Sequence, residues 1–309
     1  MKQRIDWNNI LPELLVEKDV ELKTISTIRI GGKCDFIVYP KNVAELKKVM
    51  LICNAQKEAW RIIGGVSNLL FCDKGFRGTL VSLKQFNKIK LVSDNLVNVG
   101  GGTMASFAIK FLSLQGFSGL EWAIMIPATI GGMVAMNAGA YGCEIKDFVV
   151  SVKTIINNKI TILSKDECGF GYRDSIFKNK GYPVIEVCLK FQKKSQEEIN
   201  EELKNNITKR ISSQPSGFSC GSVFKKTAMG SAGFIIDRAN CKGLRVKDAV
   251  VSDVHANFIL NKNHAKCKDI LKLMEKIYRK VYNNYKIKLE PEIIIVGEHN
   301  EDSWRLSHP

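Results

Sequence analysis

The sequence predicts an α+β fold, and three observations carry that prediction. Short apolar runs closed by Gly, Pro or Asn recur along the chain, two of them as hairpins at 89–99 and 148–164. Between them lie segments of helical period, at 42–57, 103–116, 195–212 and 263–285. A dinucleotide fold is excluded. Gly100-Gly101-Gly102-Thr103 follows a strand, but no Gly completes a GxGxxG spacing and no acid follows a second strand about 20 residues on.

Taken in order, residues 1–23 read as a short amphipathic lead-in. Gly31-Gly32 mark a turn, and the strand ending at Phe36–Tyr39 is stopped by Pro40. Arg29, beside that turn, reads either as a surface charge or as a phosphate anchor. The helix at 42–57 is capped by Asn42. Ile63-Gly64-Gly65-Val66-Ser67-Asn68 reads as a strand entering a loop whose N–H groups and Ser hydroxyl can bind a pyrophosphate. Taken alone, such a loop is as often only a turn. Thr103 is the expected cap of the 103–116 helix, with Gly116 at its end.

The stretch Ile126–Gly142 lies within the longest charge-free span, between Glu121 and Glu144. Pro127 and the Gly131-Gly132 pair break up a span that would need about 20 unbroken apolar residues to cross a membrane. Two readings remain: a buried core turn, or a tight, dry site where glycines let backbone N–H groups approach an anionic cofactor.

Asn157-Asn158 turn the second hairpin, and Tyr172-Arg173-Asp174-Ser175 form a loop before a strand at 183–191. Read locally, Arg173 is a surface ion-pair partner. Ser195 and Glu198 make a capping box at the head of the next helix, and a domain boundary is placed there. Ser222 enters a short strand. It is no nucleophile elbow, because GxSxG is absent, and on local evidence it is structural. A helix follows at 232–241, and His255 reads as a hydrogen-bonded structural residue. Cys267, Ile270, Leu271, Met274, Ile277, Tyr278 and Val281 are the expected buried stripe of the last helix. Glu292 heads the final apolar strand, where a carboxylate either faces a site or stays hydrated.

Composition narrows the function classes. The chain has 309 residues, 45% hydrophobic and 25% charged, enough for two or three domains. The net charge is +15, with 46 Lys+Arg spread along the whole length. That reads first as a solvated surface and second as attraction for phosphorylated small molecules. No basic run interleaved with aromatics supports nucleic-acid binding. Nine scattered Cys without CxxC spacing suit a reducing cytoplasm rather than a disulfide framework. The four His offer no i, i+4 metal pair. MKQRIDWNNI has no apolar core, so no signal peptide is expected.

Seven segments occur together and in order: Thr27–Gly32, Gly64–Leu70, Ile126–Gly142, Tyr172–Ser175, Cys220–Lys225, His255–Phe258 and Leu289–Glu292. Over residues 20–296 the chain closely resembles the UDP-N-acetylenolpyruvoylglucosamine reductases, flavoenzymes of peptidoglycan synthesis also called UDP-N-acetylmuramate dehydrogenases. The resemblance implies a vanillyl-alcohol-oxidase-type (PCMH-like) FAD-binding domain in two parts, 1–85 and 86–194, with FAD between them, then a substrate-binding domain at 195–309. It implies Arg173, Ser222 and Glu292 as the catalytic residues. Arg29, Gly64, Gly65, Val66, Ser67, Asn68, Gly102, Pro127, Ala128, Thr129, Gly131, Gly132, Asn137 and Ala138 would bind FAD. Tyr141, Lys225 and Asn257 would meet the substrate. It further implies NADPH as reductant, UDP-N-acetylglucosamine enolpyruvate as substrate, and a cytoplasmic monomer with no membrane span and no nucleic-acid partner. The rival reading is a related FAD-dependent oxidase of a small alcohol or sugar. The chain departs from the family pattern at Val66, where a third Gly is common, at Lys226, where Asn is usual, and at Ala128, where Gly is common. The short segment between Arg173 and Ser222 resembles the subgroup without a lid over the substrate.

Overall fold

The computed structural model describes residues 4–297. Two compact units emerge. The first comprises Met1–Lys18, Phe36–Gly65 and Gly78–Thr208; the second comprises Asp19–Asp35, Val66–Arg77 and Lys209–Pro309.

Most of a four-stranded sheet lies in the first unit, in the order Leu15–Glu21, Lys33–Tyr39, Phe76–Ser82, Trp60–Ile63. The helix Val43–Ala55 buries Leu46, Val49 and Cys53 against Phe36, Val38, Val81 and Leu83. Asn42 caps that helix as expected, accepting the Glu45 N–H at 2.9 Å. The five-stranded antiparallel sheet is ordered Lys159–Ser164, Val149–Ile156, Glu186–Lys190, Leu96–Gly100, Ile89–Leu91. Its outer hairpin turns through Asn157 and Asn158 at φ 47° and 61°, the left-handed pair that matches the twist of the strands. The helix Ala105–Leu114 packs Ala108, Ile109 and Leu112 into the core of this sheet. The capping box forms as read: Ser195 N–H meets Glu198 Oε2 at 3.0 Å and Glu198 N–H meets Ser195 Oγ at 3.2 Å.

In the second unit, the helix Cys267–Tyr285 supplies the main apolar stripe. It packs on the helix Ala232–Arg238 and on a three-stranded sheet, Arg245–Val246, Ala249–Val251 and Ile259–Asn261. The strand Ile294–Val296 pairs in parallel with Leu69–Phe71.

Several expectations need correcting. The lead-in holds a helix turn, Trp7–Ile10, and a full strand, Leu15–Glu21, whose mixed polarity hid its period. Met104, not Thr103, is the helix N-cap, and it makes no side-chain cap bond. Thr103 instead closes a turn onto the Gly100 carbonyl at 3.0 Å. Leu273 is fully buried in the last helix, while Leu271 is only partly so. Two short helices, Ile130–Ala135 and Ile176–Lys180, lie in segments read as loops. The strand expected after Ser222 reduces to isolated bridges, Ser222 to Phe258 and Phe224 to Pro291. Among the described residues, no helix is long and apolar enough to cross a membrane, and no cluster of three or more His, Cys, Asp or Glu could hold a metal.

Candidate active site

Three glycine turns of the first unit close on one another with almost no space between. A Cβ on Gly64 would stand 2.6 Å from Thr129 Oγ1, and one on Gly65 would stand 2.5 Å from the Pro127 carbonyl. On Gly102 it would reach 1.8 Å from the Leu83 carbonyl. Gly131 N–H bonds the Gly101 carbonyl and Ile130 N–H the Thr103 carbonyl, each at 2.8 Å. Thr129 caps the short helix, accepting Gly132 N–H at 3.1 Å. The N–H groups of Gly131 and Gly132 are therefore engaged inside the protein. These two glycines serve close approach of backbone to backbone.

The 65–67 loop differs. Among the described residues, the N–H groups of Gly65, Val66 and Ser67 make no hydrogen bond within the protein, although Val66 is buried. Consecutive unengaged N–H groups form a concavity suited to an anion. Val66 sits at φ 54°, a left-handed conformation that costs a β-branched residue about 1–2 kcal/mol. Glycine would take it freely. We expect Val66→Gly and Val66→Ala to have similar urea-unfolding stabilities, because relief of strain offsets the extra methyl, about 0.8 kcal/mol, and the greater freedom of unfolded glycine. At an ordinary φ the Gly variant would be clearly the weaker, and that result would remove the strain.

Arg173 is positioned by a brace built on residues 135–139. Asn137 is fully buried; its Nδ2 donates to the Gly171 carbonyl at 2.8 Å and its Oδ1 accepts Lys146 N–H at 3.3 Å. Ser175 Oγ donates to the Ala135 carbonyl at 2.7 Å. Gly171 and Asp174 exchange backbone bonds, which turns the chain sharply and holds Arg173 at φ 55°. The guanidinium donates to the carbonyls of Asn137 (3.3 Å) and Gly139 (2.7 Å), and lies over the Tyr172 ring. Near it, burial pushes the Glu144 carboxyl up. Hydrogen bonds from Lys146 and Asn137, with the charges of Lys146 and Arg173, outweigh burial and leave its pKa below the usual value. Tyr141 is half-buried at φ 55° beside the same core.

The second unit gathers Ser222, Lys225, Asn257 and Glu292. Asn257 is buried and clamps Phe224 with both amide atoms: Oδ1 accepts Phe224 N–H at 2.9 Å, and Nδ2 donates to its carbonyl at 2.8 Å. Val223 N–H bonds the Asn257 carbonyl at 2.9 Å, and Glu292 N–H bonds the Val223 carbonyl at 2.8 Å. Asn68 Nδ2 donates to the Glu292 carbonyl at 3.1 Å. Ser222 and Glu292 thus project from adjacent, backbone-locked segments, both half-buried. Lys225 pairs with Glu290 at 3.2 Å. Arg29, at φ 57°, is exposed and lies over the Phe218 ring.

Two neighbours are unsuited to proton transfer. Burial pushes the Cys220 thiol up to about 12. Burial also lowers the His255 pKa, and its Nδ1 accepts Asn257 N–H at 3.2 Å. Of the residues named from the sequence, Ser222, Lys225, Asn257 and Glu292 lie in the second unit, and Asn137 stands within the brace under Arg173. Ser175 closes the Tyr172–Ser175 segment, but its bond to the Ala135 carbonyl has no signal in the sequence, and Asn261 lies in no motif. Asn261 ties the Ile28 carbonyl to the start of the last helix through bonds of 3.0 Å to Ile28 and Ala265.

Comparison with known proteins completes the assignment. Residues 34–159 match the FAD binding domain family, and residues 214–296 match the C-terminal domain of UDP-N-acetylenolpyruvoylglucosamine reductase. The UDP-N-acetylenolpyruvoylglucosamine reductase of Clostridioides difficile is 36% identical over 95% of this chain and 97% of its own length. The Bacillus pumilus enzyme of that name is 35% identical over 94% and 98%. The crystal structure of UDP-N-acetylenolpyruvylglucosamine reductase from Thermus caldophilus superposes with a TM-score of 0.80 at 33% identity, covering 92% of this chain and 99% of that one. The α+β fold is thus of the FAD-binding type, and the chain belongs to the UDP-N-acetylenolpyruvoylglucosamine reductase family.

Proposed function

We propose that the protein reduces the enolpyruvyl ether of UDP-N-acetylglucosamine enolpyruvate to UDP-N-acetylmuramate, with NADPH as reductant. The observation that carries this reading is the pairing of Ser222 and Glu292 on locked segments, in a chain 36% identical to a reductase of that name along nearly its whole length. FAD fits the residues present, since the consecutive N–H groups of residues 65–67 make no hydrogen bond among the described residues and form a concavity suited to a diphosphate. We assign the diphosphate to Gly64, Gly65, Val66, Ser67 and Asn68, and the rest of the cofactor to Arg29, Gly102, Pro127, Ala128, Thr129 and Gly131. Gly132, Asn137 and Ala138 support it by fixing the 126–142 backbone. When bound, FAD supplies a hydride acceptor for NADPH and a hydride donor for the terminal carbon of the enolpyruvyl group.

The protein's own residues govern the charge and the proton. As negative charge builds beside the substrate carboxylate, the Arg173 guanidinium binds that carboxylate. Glu292 polarises the enolate as it forms. Ser222 Oγ–H supplies the proton to the adjacent carbon, which completes addition across the double bond. Tyr141 and Lys225 meet the substrate or its nucleotide phosphates, and Asn257 holds the Ser222 segment through its bonds to Phe224. The protein works in the cytoplasm.

Anaerobic reduction by NADPH followed by the enolpyruvyl sugar tests the proposal. Rapid return of the oxidised flavin band is expected. Reoxidation by oxygen but not by the sugar would favour the oxidase alternative. Arg173→Lys is expected to lower kcat/KM for the sugar about a hundredfold, because the single ammonium cannot replace the planar fork. Its flavin content should match wild type; a flavin-free variant would place Arg173 at the cofactor instead.

A further inference from the structure

The strand Trp60–Ile63 carries a charged residue that the mechanism above does not use. Trp60 and Ile62 pack with the core of Leu46, Val49 and Val81. By alternation, Arg61 and Ile63 face the opposite side of the sheet. The register places Arg61 beside Leu80 and Ile63 beside Ser82, and all three of these neighbours are buried. Arg61 itself is half-buried. Among the described residues, its guanidinium has no hydrogen-bond, ion-pair or ring partner. Burial lowers its pKa and no carboxylate opposes that effect, yet guanidinium remains charged at any physiological pH.

A half-buried cation without a counter-charge is costly, and native proteins pair such groups. The strand bearing Arg61 runs directly into Gly64-Gly65, the start of the loop with unengaged N–H groups. At about 3.3 Å per residue, the Arg61 Cα lies about 10 Å from that of Gly64 and on the sheet face toward which Gly65 continues the alternation, a separation that an arginine side chain and an anion held by the loop can bridge together. The nearby anion of the holoprotein is a diphosphate. We infer that Arg61 is a cofactor-binding residue whose guanidinium pairs with the diphosphate of FAD. This rests on the FAD assignment above, and it adds a side-chain charge to a cradle otherwise made of backbone.

The test compares wild type with Arg61→Met and Arg61→Lys, each stripped of flavin and titrated with FAD at two salt concentrations. Arg61→Met should weaken FAD binding about ten- to hundredfold, as expected for loss of a charge-assisted bond. Its affinity should also depend less on salt. The flavin-free Met variant should melt at or above the wild-type temperature, because an unpaired charge has been removed. Arg61→Lys should recover part of the affinity. FAD affinity within twofold of wild type in the Met variant would overturn the inference, as would a lower melting point of the flavin-free protein with unchanged affinity, which marks a packing role. A wild type that takes up no FAD would instead overturn the cofactor assignment itself.

Discussion

Ser222→Ala is expected to keep flavin reduction by NADPH at the wild-type rate and to slow sugar-dependent reoxidation by about 10²–10⁴-fold, the usual contribution of a positioned general acid. The fold should not feel the change. The segment is fixed through backbone, by Val223 N–H to the Asn257 carbonyl and Glu292 N–H to the Val223 carbonyl, and none of these bonds needs the Ser222 hydroxyl. Neither Cys220 nor His255 is placed to substitute. Cys220 is buried and turns its thiol to the Leu69 carbonyl at 3.4 Å, and burial pushes that thiol up to about 12. Burial lowers the His255 pKa, and its Nδ1 already accepts a backbone N–H. Stopped-flow absorbance of the two half-reactions separates the outcomes. Unchanged reoxidation would remove Ser222 from the mechanism, and slowed reduction by NADPH would move it to the cofactor. Ser222→Cys, which restores an ionisable hydrogen at the same backbone position, should recover part of the lost rate.

The elements legible in the sequence were those with local causes. Asn42 and the Ser195–Glu198 box announced their helices because a cap is decided within four residues. The Asn157-Asn158 turn was legible because few residues accept two left-handed positions in succession. Thr103 misled for an instructive reason. It is a good cap by type, but its backbone is committed to Gly100 and Ile130, so the helix starts one residue later. The helix Ile130–Ala135 was hidden by Gly131 and Gly132, poor helix formers kept there because a Cβ on Gly131 would meet the Gly101 carbonyl at 2.7 Å. At the candidate site, the family resemblance nominated Arg173, Ser222 and Glu292, and it nominated Asn137 for the cofactor without showing its bracing bonds. Asn137, Ser175 and Asn261 act on backbone groups 34, 40 and 233 residues away, and no local pattern encodes partners at such separations. Arg61 carried no signal in the sequence; that it lacks a partner is visible only in three dimensions.

Asn257 joins stability to catalysis, and replacing it should be the most damaging single change outside the reacting groups. Phe224 is 1% exposed, so water cannot replace the two amide bonds that Asn257 makes to its backbone. Asn257→Ala leaves a buried N–H and a buried carbonyl without partners, at about 1–3 kcal/mol each. A loss of about 3 kcal/mol in urea unfolding is expected, near the upper end for single substitutions. Because Phe224 lies two residues from Ser222, kcat should fall more than KM rises. Asn257→Asp separates bracing from mere packing. The carboxylate keeps the acceptor for Phe224 N–H but turns a second acceptor toward the Phe224 carbonyl. Burial and that carbonyl both raise its folded pKa above the unfolded value. The folded state then binds the proton more tightly, so the variant should be most stable in acid, where protonated Asp donates as Asn did. Its stability should be lost as pH rises through the raised pKa. A wild-type-like pH profile for Asn257→Asp, with an Ala variant as stable as wild type, would show that the clamp carries no energy and that Ser222 is held by its neighbours' backbone alone.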